Sequence, residues 1–216
     1  LVAHPPELSI TSRGGRLGSR FVEPATLKDA TMVIDSKRSL TLIVDVQTKL
    51  APAIRDIDAV VAVVRHLLQA SERLGVPVQL LEENPDALGA TVPEVASACP
   101  GARPAMAKMT FSCMGEPEIG RQLAGFGRDQ VVVCGTETHV CVLQSALGLL
   151  RAGYDVFVVA DGSGTRFRAD HERALHRLER AGCTIVTAEM VIFEWLERAG
   201  TAAFREMLPL VRDRAR

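Results

Sequence analysis

Cys141 is the residue of this chain best placed to act as a nucleophile. It follows Val131-Val-Val-Cys-Gly-Thr-Glu-Thr-His-Val140, which reads as a buried strand, a glycine turn and the opening of a helix. A thiol at a helix N-terminus feels the positive end of the macrodipole and the unpaired N–H groups of the first turn. Both favour the thiolate, the nucleophilic form. The other cysteines lack that setting: Cys134 and Cys183 sit within apolar strands, Cys99 precedes a Pro-Gly turn, and Cys113 lies in a polar loop. For those, a small apolar core side chain is a sufficient reading.

Two charged side chains stand at comparable places. Ser39-Leu-Thr-Leu-Ile-Val-Asp45 is a short apolar run that ends in a carboxylate, and Ala105-Met-Ala-Lys108 ends in an ammonium. A carboxylate there caps the next turn or takes the proton of a neighbouring thiol. A lysine beside both would hold the anions in place. His139, next but one to Cys141, offers an alternative base or a ring lining the pocket. Gly162-Ser-Gly164 matches neither a Walker A loop nor GxGxxG, and no HExxH spacing occurs. His171 and His176 read as surface residues of a solvated helix.

The elements that must position these groups alternate in type. After the strand at 39–45 comes an amphipathic helix, with Ile57, Val60, Val64, Leu67 and Leu68 on one face and Gly75 at its end. Strands are then expected over Val76–Leu81, Ala105–Ala107, Gln130–Cys134, Tyr154–Ala160 and Cys183–Thr187. Helices are expected over Pro117–Phe126 (interrupted), His139–Ala152 and Asp170–Ala181, with short ones near Met190–Arg198 and Ala202–Val211. Such alternation implies an α/β fold, a parallel sheet with helices on both faces. Ligands of these sheets bind beyond the carboxyl ends of the strands, where Asp45, Lys108 and the Gly135–Cys141 segment all fall.

Composition narrows the function. With 216 residues, 47% of them hydrophobic, the chain can bury a sizeable core without disulfides or metal. Its 25 basic and 26 acidic side chains leave no basic footprint for nucleic acid, and 4% aromatics leave few stacking platforms. No apolar run approaches the ~18 residues of a membrane span. The odd cysteine count without CxxC argues for a reducing compartment, hence the cytoplasm, and no secretory signature opens the chain. Residues 1–38, carrying Pro5, Pro6, Gly14, Gly15, Gly18 and Pro24, read as an extended arm before a domain over 39–216. The apolar Phe193, Trp195, Leu196, Phe204 and Leu208 of the closing helices must cover their own sheet or meet another subunit, and a homo-oligomer is expected.

Leu42-Ile-Val-Asp-Val-Gln47, Lys108 with Phe111-Ser112, and Gly135-Thr-Glu-Thr-His-Val-Cys-Val142 together resemble the isochorismatase-like cysteine hydrolases, in order and in spacing. Pro85, Leu88-Gly89, Thr91-Val-Pro93, Asp161-Gly-Ser-Gly-Thr-Arg166 and Glu189-Met190 resemble the isochorismatase domain-containing branch most. The resemblance implies a six-stranded parallel sheet in a Rossmann-like, three-layer arrangement. It makes Cys141 the nucleophile, Asp45 the general base and Lys108 the third member of a triad. The loop before the nucleophile would carry a cis peptide at Thr136–Glu137, and the amides of Glu137 and Cys141 would form the oxyanion hole. Gln47, Leu50, Phe111 and His139 would lie on the loops that contact a small-molecule substrate.

One departure from that pattern matters. Nicotinamidases of the family hold a metal through an Asp and two His after the second strand, where this chain has Glu82-Glu-Asn-Pro-Asp86. No metal and no cofactor are therefore expected. Isochorismatases open a vinyl ether and some lack the cysteine, so Cys141 favours acyl chemistry: cleavage of a C–N bond in a small amide through a thioester. The alternatives are vinyl-ether hydrolysis and a non-enzymatic oligomeric binding protein on the same fold.

Overall fold

The computed structural model describes residues 33–213, so the expected arm lies outside the described residues up to Met32. Its last residues belong to the folded body. Ile34 is buried and its N–H donates to Glu194 Oε2 at 2.7 Å, while Asp35 N–H donates to Gln130 Oε1 at 2.8 Å.

Six strands form one sheet in the order β3-β2-β1-β4-β5-β6. They are β1 (Ser39–Val44), β2 (Val78–Glu83), β3 (Arg103–Lys108), β4 (Gln130–Thr136), β5 (Asp155–Gly164) and β6 (Thr184–Val186). All neighbouring strands run parallel. The helices are α1 (Ile57–Leu74), the single turns α2 (Pro85–Leu88) and α3 (Pro93–Ala96), then α4 (Pro117–Ala124), α5 (Leu143–Arg151), α6 (Arg168–Ala181), α7 (Ala188–Leu196) and α8 (Ala202–Asp213). The expected α/β fold is the one observed.

Two-residue alternation sorts the central strands between two layers. Leu40, Leu42 and Val44 of β1, with Val131 and Val133 of β4, pack against Ile119 and Leu123 of α4, Ala146 and Leu149 of α5, and Leu178 of α6. Thr41 of β1 faces the other way, its hydroxyl 2.9 Å from that of Ser71 on α1. α1 buries Val60, Val64, Leu67 and Leu68 as its periodicity requires, and stops where Gly75 takes φ 68°. With side chains of β1 and β4 enclosed on both faces, the strand ends alone are left for chemistry.

Several boundaries differ from the sequence reading, each for a local reason. β2 runs on through the charged pair Glu82-Glu83, and β5 runs on through the glycines to Gly164 after a register shift between Val133 and Gly135. α4 is continuous despite Gly120. In the last helices Trp195 and Leu196 are buried within the chain, the Trp195 indole N–H donating to Ser39 Oγ at 2.9 Å, while Phe193 remains exposed. α7 packs on α1 and β5, and α8 packs on α1 and α7.

Candidate active site

Three neighbouring strands each deliver a charged group to the same edge. Lys108 ends β3, Glu83 ends β2 in register with it, and Asp45 follows β1, its N–H donating to Leu81 O at 3.0 Å. The fourth strand, β4, feeds the segment that carries Cys141. It passes β1 so closely that a Cβ on Gly135, at φ 126°, would overlap the backbone of Val44. Only glycine fits there. Thr136 then fastens the two strands, its hydroxyl donating to Asp45 O at 2.6 Å.

The side chains converge. Lys108 Nζ donates to Asp45 Oδ2 at 2.8 Å and to Glu83 Oε2 at 2.6 Å. Both Lys108 and Asp45 side chains are wholly enclosed, and Glu83 keeps 11% of its side chain exposed. Cys141 Sγ and an oxygen from each carboxylate lie within 4.8 Å of one another. Asp45 Oδ1 is buried with no hydrogen-bond partner among the described residues. Asp45, Glu83 and Cys141 are the one trio among the described residues with such ligand spacing, and the ammonium of Lys108 already bonds both of its carboxylates.

Burial dominates the proton equilibria. It raises the Asp45 carboxyl above its ordinary value, with the Lys108 charge pulling the other way. Burial alone would lower Lys108, but Asp45, Cys141 and Glu83 around it leave it raised. Burial and then the Asp45 charge push the Cys141 thiol well up, more than the facing Lys108 brings it down. Cys141 therefore rests as a thiol beside Asp45 and Glu83. The helix-dipole argument for a standing thiolate is overridden, and Cys141 lies not in the first turn of an α-helix but in a wide π-helical turn, Thr138–Val142, leading into α5.

The peptide between Thr136 and Glu137 is cis, at the bond the family resemblance singles out. The Glu137 side chain is anchored by residues just after β5. Its Oε2 accepts from Thr165 Oγ1 at 3.0 Å, Arg166 N–H at 3.2 Å and Arg166 Nε at 3.0 Å. Burial would raise its pKa, but the Arg166 and Thr165 bonds outweigh that and hold it below the ordinary range. Two imidazoles brace the same turn: His139 Nδ1 is 2.8 Å from Thr165 Oγ1, and His171 Nδ1 is 3.0 Å from Thr138 Oγ1. His171, expected on a solvated surface, is half-buried instead, because α6 packs its first turns onto this segment.

The remaining expected contacts divide. Gln47 is fully buried, and its amide is used up by the chain: Nε2 donates to Glu83 O and Gly89 O at 2.9 and 2.6 Å, and Oε1 accepts from Glu83 N–H at 2.9 Å. It is a clamp on the end of β2. Leu50 is half-buried and Phe111 is 52% exposed on the loop after β3. Glu83 was not among the expected site residues, since β2 was expected to end at Leu81 with 82–88 as a loop near the pocket. The available signal was a carboxylate closing a second buried strand.

Residues 39–190 match the isochorismatase domain. The isochorismatase domain-containing protein 2A of Mus musculus is 34% identical over 176 residues, 81% of this chain and 83% of that protein. The chain belongs to the isochorismatase family. Among solved structures, the MAR1 ribonuclease of Caenorhabditis elegans is similar with a TM-score of 0.79 and 30% identity, over 84% of this chain and 93% of that one. The YcaC gene product of Escherichia coli, an octameric hydrolase of unknown specificity, gives 0.78 and 26%, over 85% and 93%. The family and its hydrolase fold are thus those the motifs pointed to.

Proposed function

We propose that this isochorismatase-family protein is a cysteine hydrolase that cleaves the C–N bond of a small amide through a thioester on Cys141. The observation that carries the reading is a buried thiol beside a carboxyl group that an ammonium holds. As Sγ attacks the carbonyl carbon, the thiol proton passes to Asp45, and the amides of Glu137 and Cys141 receive the oxyanion. Asp45 then returns that proton to the leaving nitrogen and the C–N bond breaks. Water, deprotonated by Asp45, opens the thioester, releases the acid and restores the thiol. Lys108 holds Asp45 in place throughout and loses no proton.

This chemistry needs no metal or cofactor, and the two carboxylates at hand are committed to Lys108. Leu50, Phe111 and His139 would line the substrate space. Exposed apolar side chains, among them Met109, Phe111, Phe167, Met190 and Phe193, offer surface to a second copy, in keeping with the octamer of the YcaC relative. Five unpaired thiols fit a reducing, cytoplasmic setting, and no helix of the described residues is long and apolar enough to cross a membrane.

The test is a panel of small amides offered in parallel to wild type, Asp45→Asn and Cys141→Ala, with release of ammonia or amine as the readout. At least one amide should be turned over, and each variant should fall by about 10²–10³ or more. Full activity in Cys141→Ala removes covalent catalysis.

A further inference from the structure

The Lys108 ammonium faces two carboxyl groups, so by formal charge Asp45, Glu83 and Lys108 together carry one negative charge in excess beside the thiol. Both Asp45 and Glu83 add to the charge that holds the thiol proton. Lys108 is wholly enclosed and already bonded to both, so it cannot greet an anion entering the site. Glu83 is the one member of that charged trio with side-chain surface exposed. Its Oε2 is bound to Lys108, while Oε1 has no hydrogen bond from the described residues. The carbonyl and amide of Glu83 are fixed by Gln47, so the side chain projects from a rigid strand end. The guanidinium of the adjoining segment is matched: Arg166 Nε lies 3.0 Å from Glu137 Oε2.

We propose that Glu83 is a specificity-determining residue, which makes the site accept neutral or cationic amides rich in N–H donors and reject molecules with a carboxylate or phosphate next to the reacting carbon. Its Oε1 accepts from substrate N–H groups, and its charge repels an anion at a point shielded from solvent, where Coulomb forces are strong. This rests on Cys141 being the nucleophile. It narrows the substrate to carboxamides, ureas and their protonated amine derivatives, and it disfavours both the dicarboxylate of a vinyl-ether reaction and a phosphodiester.

Two thiol reagents of near-equal size and opposite demand test it: neutral iodoacetamide and anionic iodoacetate. Their rates at Cys141 are followed by peptide mass spectrometry in folded wild type, in the unfolded chain and in Glu83→Gln. Both reagents consume the same thiolate, so any change in the thiol's pKa cancels in the ratio of the rates. A purely structural effect of the substitution cancels with it. Wild type should prefer iodoacetamide at least tenfold more than the unfolded chain does, and Glu83→Gln should lose at least fivefold of that preference. A folded wild type with the unfolded chain's ratio overturns the inference even if Glu83→Gln does not fold, and so does an unchanged ratio in a folded Glu83→Gln. A Cys141 inert to both reagents overturns the nucleophile reading as well, which separates the two failures.

Discussion

One ammonium shared by two carboxylates sets how Asp45, Lys108 and Cys141 can act. With the thiol protonated, the cluster is one charge short of neutrality, and adding a thiolate would deepen the imbalance. In the proposed mechanism a proton therefore has to move as the sulfur attacks, and Asp45 is the group assigned to receive it. The same arithmetic governs stability. Removing Lys108 leaves two enclosed carboxylates facing each other without a counter-charge, a change that costs about 3–5 kcal/mol in comparable buried pairs. Lys108→Ala should be destabilised on that order in urea unfolding. Adding Glu83→Gln should recover more than about 1 kcal/mol by removing one of the opposed charges. A double variant no more stable than Lys108→Ala would show that the two carboxylates do not share the lysine. Asp45, Lys108 and Cys141 were legible in the sequence because each closes or follows an apolar run. Glu83 was not, since a second acid beside Glu82 looks like the start of a solvated loop.

At the scale of elements, the site depends on how closely β1 and β4 approach where both end. Gly135 sits at φ 126° against the Val44 backbone, and the turn holding Cys141 starts three residues later. Gly135→Ala combines a strained backbone with a direct overlap, and should lower stability by at least about 2 kcal/mol in urea unfolding. If it folds, it should also displace the nucleophile and depress turnover. Wild-type stability in Gly135→Ala would contradict the close approach. Alternation of strand and helix made the order of elements readable, because the central strands β1, β4 and β5 are each built around an apolar run. The end of β5 was not readable, because Asp161-Gly-Ser-Gly164 has turn composition and pairs with β4 only after a register shift. The π-helical turn around Cys141 was likewise hidden: apolar periodicity does not distinguish it from the first turn of α5.

For the whole molecule, the sheet order turns three sequence-distant charges into neighbours. Asp45, Glu83 and Lys108 come from β1, β2 and β3, adjacent at one side of the sheet, and β4 next to β1 brings in Cys141. The family resemblance covered that arrangement as a unit. Oligomer formation was read from the closing helices, where Trp195 and Leu196 are buried within the chain, Phe204 and Leu208 are half-buried and Phe193 is exposed. Other exposed apolar side chains include Met109 and Phe111 after β3, Phe167 after β5, and Met190 on α7. A stable assembly should therefore depend on some of these side chains. Light scattering at micromolar concentration should give a multiple of 23.3 kDa for wild type and a smaller mass for Phe111→Ser with Phe167→Ser. A monomeric wild type would contradict the assembly.

The central claim is a covalent bond between Cys141 and the acyl half of the substrate. Its most direct measurement is rapid acid quenching of wild type during turnover of an amide from the panel, followed by intact-protein and peptide mass spectrometry. The account predicts an added mass equal to the acyl group, located on Cys141, absent from Cys141→Ala and cleared once substrate is exhausted. Steady turnover with no adduct on Cys141, together with undiminished activity in Cys141→Ala, would contradict it.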